Sequence, residues 1–518
     1  MEHWAVWFID FGWCIGTDRC DHLHHGDTVS IRQNSFYTLT GALAQVAVTL
    51  FTVPIFLRLI GTERYGVLVI VWVFLGLFGV FDLGLGRATA QRIASLHKAT
   101  PLERAEVFWT ALTLNAAAGV VGGLLLWPVA RHFFLASFKV SASLRLEVLS
   151  MVPWMAAAVP IAIVTGVLAG ALQGREQFLA LSASNALGGV LYQIFPLGVA
   201  WLHGPNLAWL VASALLGRVV VFAMQYAQCY RHVPLNMAPS VKRELVAPLV
   251  RYGGWVTVTG IIAPVLTMLD RFVIGSIAGA SAVTYYTVPF NLATRVVILP
   301  ASLSEALFPR LSTASDKAGR KLSDDAIQAL SVILTPIIIA GTFIMEPFLS
   351  WWVGPEMAKN SASVGELIAL GLWFNGLAYI PASRLQAQGR PDLLAKCHLA
   401  EIVPYLTVLA IALHAWGALG AAVAWSLRVM VDAIALFSLD GGVSRVLVPS
   451  LAPLLLLAAV AVSVFGFPPG STNRWVLGGG AFVGSLAWAW WAAPSSVTNF
   501  IKHTAWGILL STRRRRDP

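Results

Sequence analysis

Four arginines lie inside long apolar runs of this sequence: Arg218, Arg271, Arg295 and Arg428. Carboxylates share such surroundings at Asp82, Asp270, Glu305, Glu346, Glu401 and Asp432. In "TMLDRFVIG" (residues 267–275) an acid and a base stand side by side between apolar neighbours. A guanidinium stays charged at any depth and offers a planar fork of donors that matches phosphate oxygens. Buried carboxylates can hold such a cation in place, or bind and release protons or metal cations. The set therefore points to anion binding, with Asp82, Asp270 and Glu305 as candidates for ion coupling. A structural alternative stands beside it. Arg428 has Asp432 four residues on, one turn along the same helix face, and this spacing predicts a helix-locking ion pair. Arg271 could be held in the same way by Asp270 or Glu305, whereas Arg218 has no acid nearby. Asp82 sits in "GVFDLGLGR" beside Gly84 and Gly86, which suits either a helix cap or an ion-linked switch. Glu346 and Glu401 read as structural or pore-edge groups.

The elements that position these groups must be membrane spans. The chain has 518 residues, 57% hydrophobic and 12% charged, with a mean hydropathy of +0.73. Soluble domains carry about twice that share of charge. Apolar runs between charged or Gly/Pro-rich breaks predict fourteen spans, at about 34–57, 66–86, 107–130, 148–170, 178–202, 207–229, 253–277, 282–304, 327–350, 364–383, 394–415, 417–439, 447–467 and 475–493. A charge at the bilayer centre costs about 2.5–3.5 kcal/mol on insertion scales, so the four deep arginines should face an interior. Spans seven and eight are antiparallel, and at 1.5 Å per residue Arg271 and Arg295 lie at levels roughly 8–12 Å apart, a spacing that suits a ladder of positive sites.

Counting Lys and Arg over alternate loops gives twenty-three on the side of the N-terminus and seven on the other. The excess marks the cytoplasmic side and predicts both termini there. It also accounts for most of the net charge of +10, so no nucleic-acid binding is inferred. An internal repeat pairs Gln173-Gly174-Arg175 with Gln388-Gly389-Arg390, and "GRVVV" (217–221) with "LRVMV" (427–431). It predicts two parallel six-span lobes, 31–240 and 241–440, with two extra spans in 441–500 and a basic tail at 501–518. Parallel repeats of this kind build a cavity between lobes. The first 30 residues hold Cys14, Cys20, His22, His24 and His25, at spacings that fit no structural zinc pattern. They read as a disordered extension or as sequence upstream of the native start. No metal site and no cofactor is expected, and the four cysteines give no disulfide framework. Arg513 to Arg516 suit contact with anionic lipid.

The sequence carries no P-loop and no supported Ser/His/Asp arrangement, and "GLGRA" (84–88) follows no strand and is not a dinucleotide fingerprint. The longest loop has about 20 residues, too short to fold as a catalytic domain, so the chain reads as a non-enzyme. A lipid-linked glycan polymerase or ligase would need a large external loop. A multidrug antiporter that binds organic cations would need an acidic or neutral cavity, against which the four arginines count.

Three stretches carry a resemblance: "PIFLRLIGTERYGVLVIVWVFLGLFGVFDLGLGRATAQRIA" (54–94), "LDRFVIGSIAGASAVTYYTVPFNLA" (269–293) and, further on, "LFPRLS" (307–312) with "LQAQGRPDLLAK" (385–396). In order and placement they resemble the polysaccharide exporters and O-antigen flippases of the multidrug/oligosaccharidyl-lipid/polysaccharide (MOP) superfamily. The resemblance covers about residues 31–440. It implies an all-α polytopic membrane protein with two lobes in a V. Such a protein moves an undecaprenyl-pyrophosphate-linked oligosaccharide from the inner to the outer leaflet of a bacterial cytoplasmic membrane by alternating access. The lipid-linked oligosaccharide, membrane lipids and the polysaccharide polymerase and chain-length machinery are the implied partners. Tyr285, Tyr286 and Trp255 are candidates to stack on sugar faces. Many members have twelve spans, so fourteen is a departure.

Overall fold

A computed structural model describes residues 25–78, 82, 84–96, 100–233, 241–441, 450–468 and 470–493, with side chains from Val46 onward in the first helix and outside 252 and 255–267 in the seventh. Residues 14–24 of the Cys/His cluster, the side chains of His25 and Trp255, and Arg513 to Arg516 lie outside what is described. Every regular element among the described residues is helical. Lipid offers no partner to a backbone N–H or C=O, so a spanning segment must satisfy its own, and these apolar runs do so as helices.

The order is α1 (His25–Phe78), α2 (Leu85–Ser95), α3 (Pro101–His132, continued by a π-turn, Phe133–Ser137), α4 (Ala142–Gly174), α5 (Phe178–His203), α6 (Leu207–His232), α7 (Arg243–Ile277), α8 (Ala280–Ala293), a 3₁₀ turn (Thr294–Val297), α9 (Ile298–Thr313), α10 (Asp316–Val353), α11 (Pro355–Ala387), α12 (Pro391–Asp440), α13 (Leu451–Gly466) and α14 (Thr472–Ala492). Nine helices among the described residues are long and apolar enough to cross a membrane. Two of the long helices each carry two of the runs read from the sequence. α1 turns at Gly61 (φ 79°, ψ 168°) and α12 at Gly417 (φ 56°, ψ −134°), conformations open to glycine because it has no Cβ. The narrow break between the runs at 394–415 and 417–439, "HAWG" (414–417), is therefore a hairpin corner made by its glycine. Local chemistry starts the helices where it can. Thr100 accepts from the Glu103 N–H, donates to the Glu103 carboxylate, and precedes Pro101 at the first helical position. Asn206 caps α6 and Ser471 caps α14.

The chain divides into two compact units, Met1–Thr284 and Tyr285–Pro518. The division falls inside α8, so α7 with Asp270 and Arg271 belongs to the first unit, whereas the repeat placed it at the head of the second half. In the first unit α2 and α4 cross so closely that a Cβ on Gly170 would stand 2.0 Å from the Gly86 carbonyl oxygen, the small-residue contact by which spans approach each other. Around it Leu85, Ala88, Ile93, Phe108, Val167 and Leu168 form a closed apolar cluster. Arg64 of α1 grips Glu147 of α4 with two nitrogens, and Glu147 also accepts the Leu207 N–H that opens α6.

The second unit is tied by two buried arginines. Arg384 of α11, 3% exposed, binds Asp316 at the start of α10 at 2.7 Å and Asp440 at the end of α12. Arg474 of α14, 5% exposed, binds Glu366 of α11 at 2.6 Å and Glu346 of α10 at 3.3 Å. Glu346 is thus structural. Arg474 counts as a loop charge in the sequence but lies buried in the helix packing. Removing one partner of a buried pair strands the other's charge, at about 3–5 kcal/mol. Arg474→Met should lower the melting temperature in detergent micelles, and adding Glu366→Gln should restore part of the loss. An unchanged melting temperature for Arg474→Met would refute this account of how α14 is held.

Candidate functional site

The two halves of the sequence repeat place an arginine on comparable helices, and the structure gives both the same neighbour. Arg218 of α6 lies with its guanidinium carbon 5.0 Å from the ring centroid of Tyr192 on α5. Arg428, on the second arm of α12, lies 5.5 Å from the ring of Tyr405 on the first arm. The arginines are 210 residues apart and the tyrosines 213. Each is a cation over an aromatic face, a contact worth about 0.5–2 kcal/mol and stronger where water is excluded.

The two differ in their counter-charge. Arg428 donates from Nε to Glu401, across the hairpin, at 3.3 Å, with both side chains about nine-tenths buried. Its partner is not Asp432, the residue its helical spacing suggests. Asp432 instead faces His398, whose Nε2 lies 3.5 Å from its Oδ1. The register of the Gly417 hairpin decides this, because it brings Glu401 alongside Arg428 while Asp432 sits one turn further along. Glu401 is thereby a counter-ion.

Arg218 has no ion pair among the described residues, and its Nε is buried without a hydrogen-bond partner. It lines a small cavity among α1, α4, α5 and α6, walled by Leu68, Trp72, Leu75, Tyr192 and Pro196, and no carboxylate lines that cavity. The space a water centre can reach is about 10 Å³, room for one water. Trp72 packs against Tyr192 with ring centroids 6.0 Å apart, and Tyr65 against Trp72 at 5.9 Å. Beside them Gln193 bonds Thr49 and Thr52 of α1. Among the described residues the Arg218 guanidinium thus meets an aromatic row and no carboxylate. The Tyr192 and Trp72 roles were missed in the sequence, because nothing in a run of apolar residues tells which ring faces a cation.

The other candidates are dispersed. Asp270 and Arg271 are both buried, at 1% and 7% exposure, and pair at 2.9 Å, while the Arg271 N–H also donates to the Asp270 carboxylate. Arg295 belongs to the second unit, on the 3₁₀ turn that interrupts the α8–α9 span; it is exposed and forms no ion pair among the described residues. A 3₁₀ stretch inside a helix marks a hinge or strain. Glu305, about two helical turns past the end of that turn, is also exposed and unpaired among the described residues. Asp82 accepts from Asn115 Nδ2 at 2.6 Å, and the same amide donates to the Ile163 carbonyl. A Cβ on Gly166 would stand 3.2 Å from Asp82 Oδ1, and one on Gly86 would stand 2.7 Å from the Gly166 carbonyl oxygen. Asp82 therefore ties α3 and α4 through Asn115, a partner the sequence does not reveal. Tyr286 is fully buried and stacks on Phe290, so it is no open platform for a sugar, while Tyr285 is half-buried.

These features define a multi-pass membrane protein of the transporter type. The fold is shared with a lipid II flippase, MurJ, in an inward closed conformation, at a TM-score of 0.68 and 13% identity over 91% of this chain and 99% of that one. It is shared nearly as well with an inward-facing multidrug resistance MATE family transporter of the MOP superfamily, at 0.66 and 15% over 88% and 98%. The family model for polysaccharide biosynthesis proteins matches residues 55–359, and the chain belongs to that family. A candidate O-antigen transporter of Shigella flexneri is 28% identical over 79% of this chain and 97% of its own length. These relatives are transporters and flippases, not enzymes. Family and fold are those the sequence motifs suggested.

The counter-charge difference separates the two arginines experimentally. Arg428→Met strands Glu401 and should cost about 3–5 kcal/mol, read as a clear fall in melting temperature in detergent. Arg218→Met strands no acid and should leave the melting temperature within a few degrees of wild type. Equal losses for the two variants would show that Arg218 is a structural cation as well.

Proposed function

We propose that the protein is a flippase that carries an undecaprenyl-pyrophosphate-linked oligosaccharide from the inner to the outer leaflet of a bacterial cytoplasmic membrane. The observation that carries this reading is the guanidinium of Arg218, which meets Tyr192 but no carboxylate among the described residues, beside an aromatic-flanked cavity that holds one water as it stands and has to widen to admit a substrate. Family membership and the O-antigen transporter relative narrow the anion to a lipid-linked glycan. A pyrophosphate matches a guanidinium fork, and the diphosphate charge would meet no acid in that cavity. The MATE likeness alone would equally suit a drug exporter, but a cavity for organic cations calls for the opposite charge.

Transport proceeds by alternating access of two six-span lobes, 31–240 and 241–440, with both termini cytoplasmic. Arg271 and Arg295 are further cation sites on the route, and Arg295 is the more available, being exposed and unpaired among the described residues. Moving negative charge outward across an inside-negative membrane is favourable by about 2.3 kcal/mol per charge per 100 mV. Antiport of a proton or sodium ion through Asp82, Asp270 or Glu305 would add to that drive. The product passes to the polysaccharide polymerase and chain-length machinery on the outer face.

In a deletion strain one lipid-linked oligosaccharide should accumulate in the inner leaflet, and the wild-type gene should clear it. Arg218→Ala and Arg295→Ala should each cut export at least tenfold at equal membrane level, with Arg218→Lys retaining part. No accumulation in the deletion strain would overturn the function, whereas wild-type export from Arg218→Ala would overturn only the site.

A further inference from the structure

The α12 hairpin gathers a second group of polar side chains that the transport reading does not use. Cys397, His398 and Glu401 lie on its first arm, and Arg428 and Asp432 on its second. The ligating atoms of Cys397, Glu401 and Asp432 all lie within 4.8 Å of one another. Cys397 Sγ is 3.6 Å from Glu401 Oε1, and His398 Nε2 is 3.5 Å from Asp432 Oδ1. Asp432 is 6% exposed, and its Oδ1 is buried yet accepts no hydrogen bond. A buried carboxylate oxygen short of donors is costly; the nearest cationic group to this one is His398 Nε2, and a carboxylate oxygen of Asp432 also lies within 4.8 Å of the free thiol of Cys397. From this arrangement the geometry points to a transition-metal site, with Cys397, Glu401 and Asp432 as ligands and His398 within reach as the fourth.

The ligand chemistry selects the metal class. Thiolate, imidazole and carboxylate together suit zinc and its neighbours, while sodium, magnesium and calcium prefer oxygen alone. Around a tetrahedral ion with bonds of about 2.0–2.3 Å, ligand atoms stand roughly 3.3–3.7 Å apart. The Cys397–Glu401 separation is already there, and Asp432 needs only a small closure. With a divalent ion bound, the metal and Arg428 together offset one thiolate and two carboxylates. Binding releases the thiol proton, as metal binding to a protonated ligand requires. Arg428 stays on the far oxygen of Glu401, Oε2, which leaves Oε1 for the metal.

The equivalent places in the first half, at the offsets of the Arg–Tyr pairs, hold Ser184, Asn185, Gly188 and Phe222. The fold therefore does not need these side chains, and the group belongs to this hairpin alone. A bound ion would pin the two arms across the Gly417 turn.

The test needs no transport assay. In the full-length chain carrying Cys14→Ser, Cys20→Ser and Cys229→Ser, Cys397 is the sole thiol. Cobalt(II) should bind once per chain with a thiolate-to-metal charge-transfer absorption, and zinc should displace it. Cys397→Ser should abolish the absorption, and Asp432→Asn or Glu401→Gln should weaken cobalt binding at least tenfold. A monodisperse protein without the absorption would overturn the proposal, as would an absorption unaffected by both carboxylate variants. In the wild-type chain, zinc should slow iodoacetamide labelling of Cys397 at least tenfold, with a chelator restoring it. Labelling indifferent to zinc would be equally decisive against the site.

Discussion

A cation inside lipid must be answered by an anion of its own protein or by a ligand. Lipid supplies neither water nor counter-ions, so an unanswered charge is costly and rare. This constraint organises the buried polar contacts of both units. Arg64 meets Glu147, Arg271 meets Asp270, Arg384 meets Asp316 and Asp440, Arg428 meets Glu401, and Arg474 meets Glu366 and Glu346. Such pairs seldom add net stability over apolar packing, but they punish any arrangement that separates them. They specify which helix lies beside which in a molecule whose apolar faces would otherwise slide past one another in lipid. Arg218 and Arg295 are the two deep arginines without an ion pair among the described residues; Arg295 is exposed, whereas Arg218 is packed against Tyr192 beside a small cavity.

Much of this was legible in the residues. The apolar runs announced the helices, since length and hydropathy alone decide what can span. The motifs around residues 54–94 and 269–293 announced the family. What escaped was register. Glycine at 417 was visible, but its φ of 56° sets how the two arms pair, and with it whether Asp432 or Glu401 answers Arg428. A same-helix partner can be counted from spacing, whereas a partner across a hairpin depends on a turn that spacing does not describe. The same limit hid Asn115 at Asp82, which is 33 residues away. Arg474 and Arg384 lay beside breaks in hydropathy, so both passed for loop charges although they are buried.

The two halves share an ancestral-looking unit, an arginine laid over a tyrosine of the preceding helix, and have filled its surroundings differently. In the first half the place matching Glu401 is Gly188, where a Cβ would come within 2.9 Å of Val221. That crowding keeps an acid out and leaves Arg218 facing its cavity. In the second half Glu401 closes the charge, and Cys397, His398 and Asp432 extend the polar cluster around it. One copy leaves its cation without a carboxylate partner among the described residues, and the other has turned the same geometry into a compensated network.

The two helices beyond the repeat follow from the same constraint. An added hairpin in lipid has little hydrophobic reason to stay attached, because lipid tails are as apolar as its own side chains. α14 carries Arg474 into the packing of α10 and α11, where Glu366 is 1% exposed. The Ser463 hydroxyl of α13 donates to the Arg474 carbonyl, so both added helices meet at one residue. Gly478 takes the ring of Phe343 from α10 where any side chain would collide. A charge that only two acids of α10 and α11 can answer, and a notch that only a glycine leaves, bind α13 and α14 to the second unit. They therefore move as part of that unit, and a rearrangement of its helices has to carry them along.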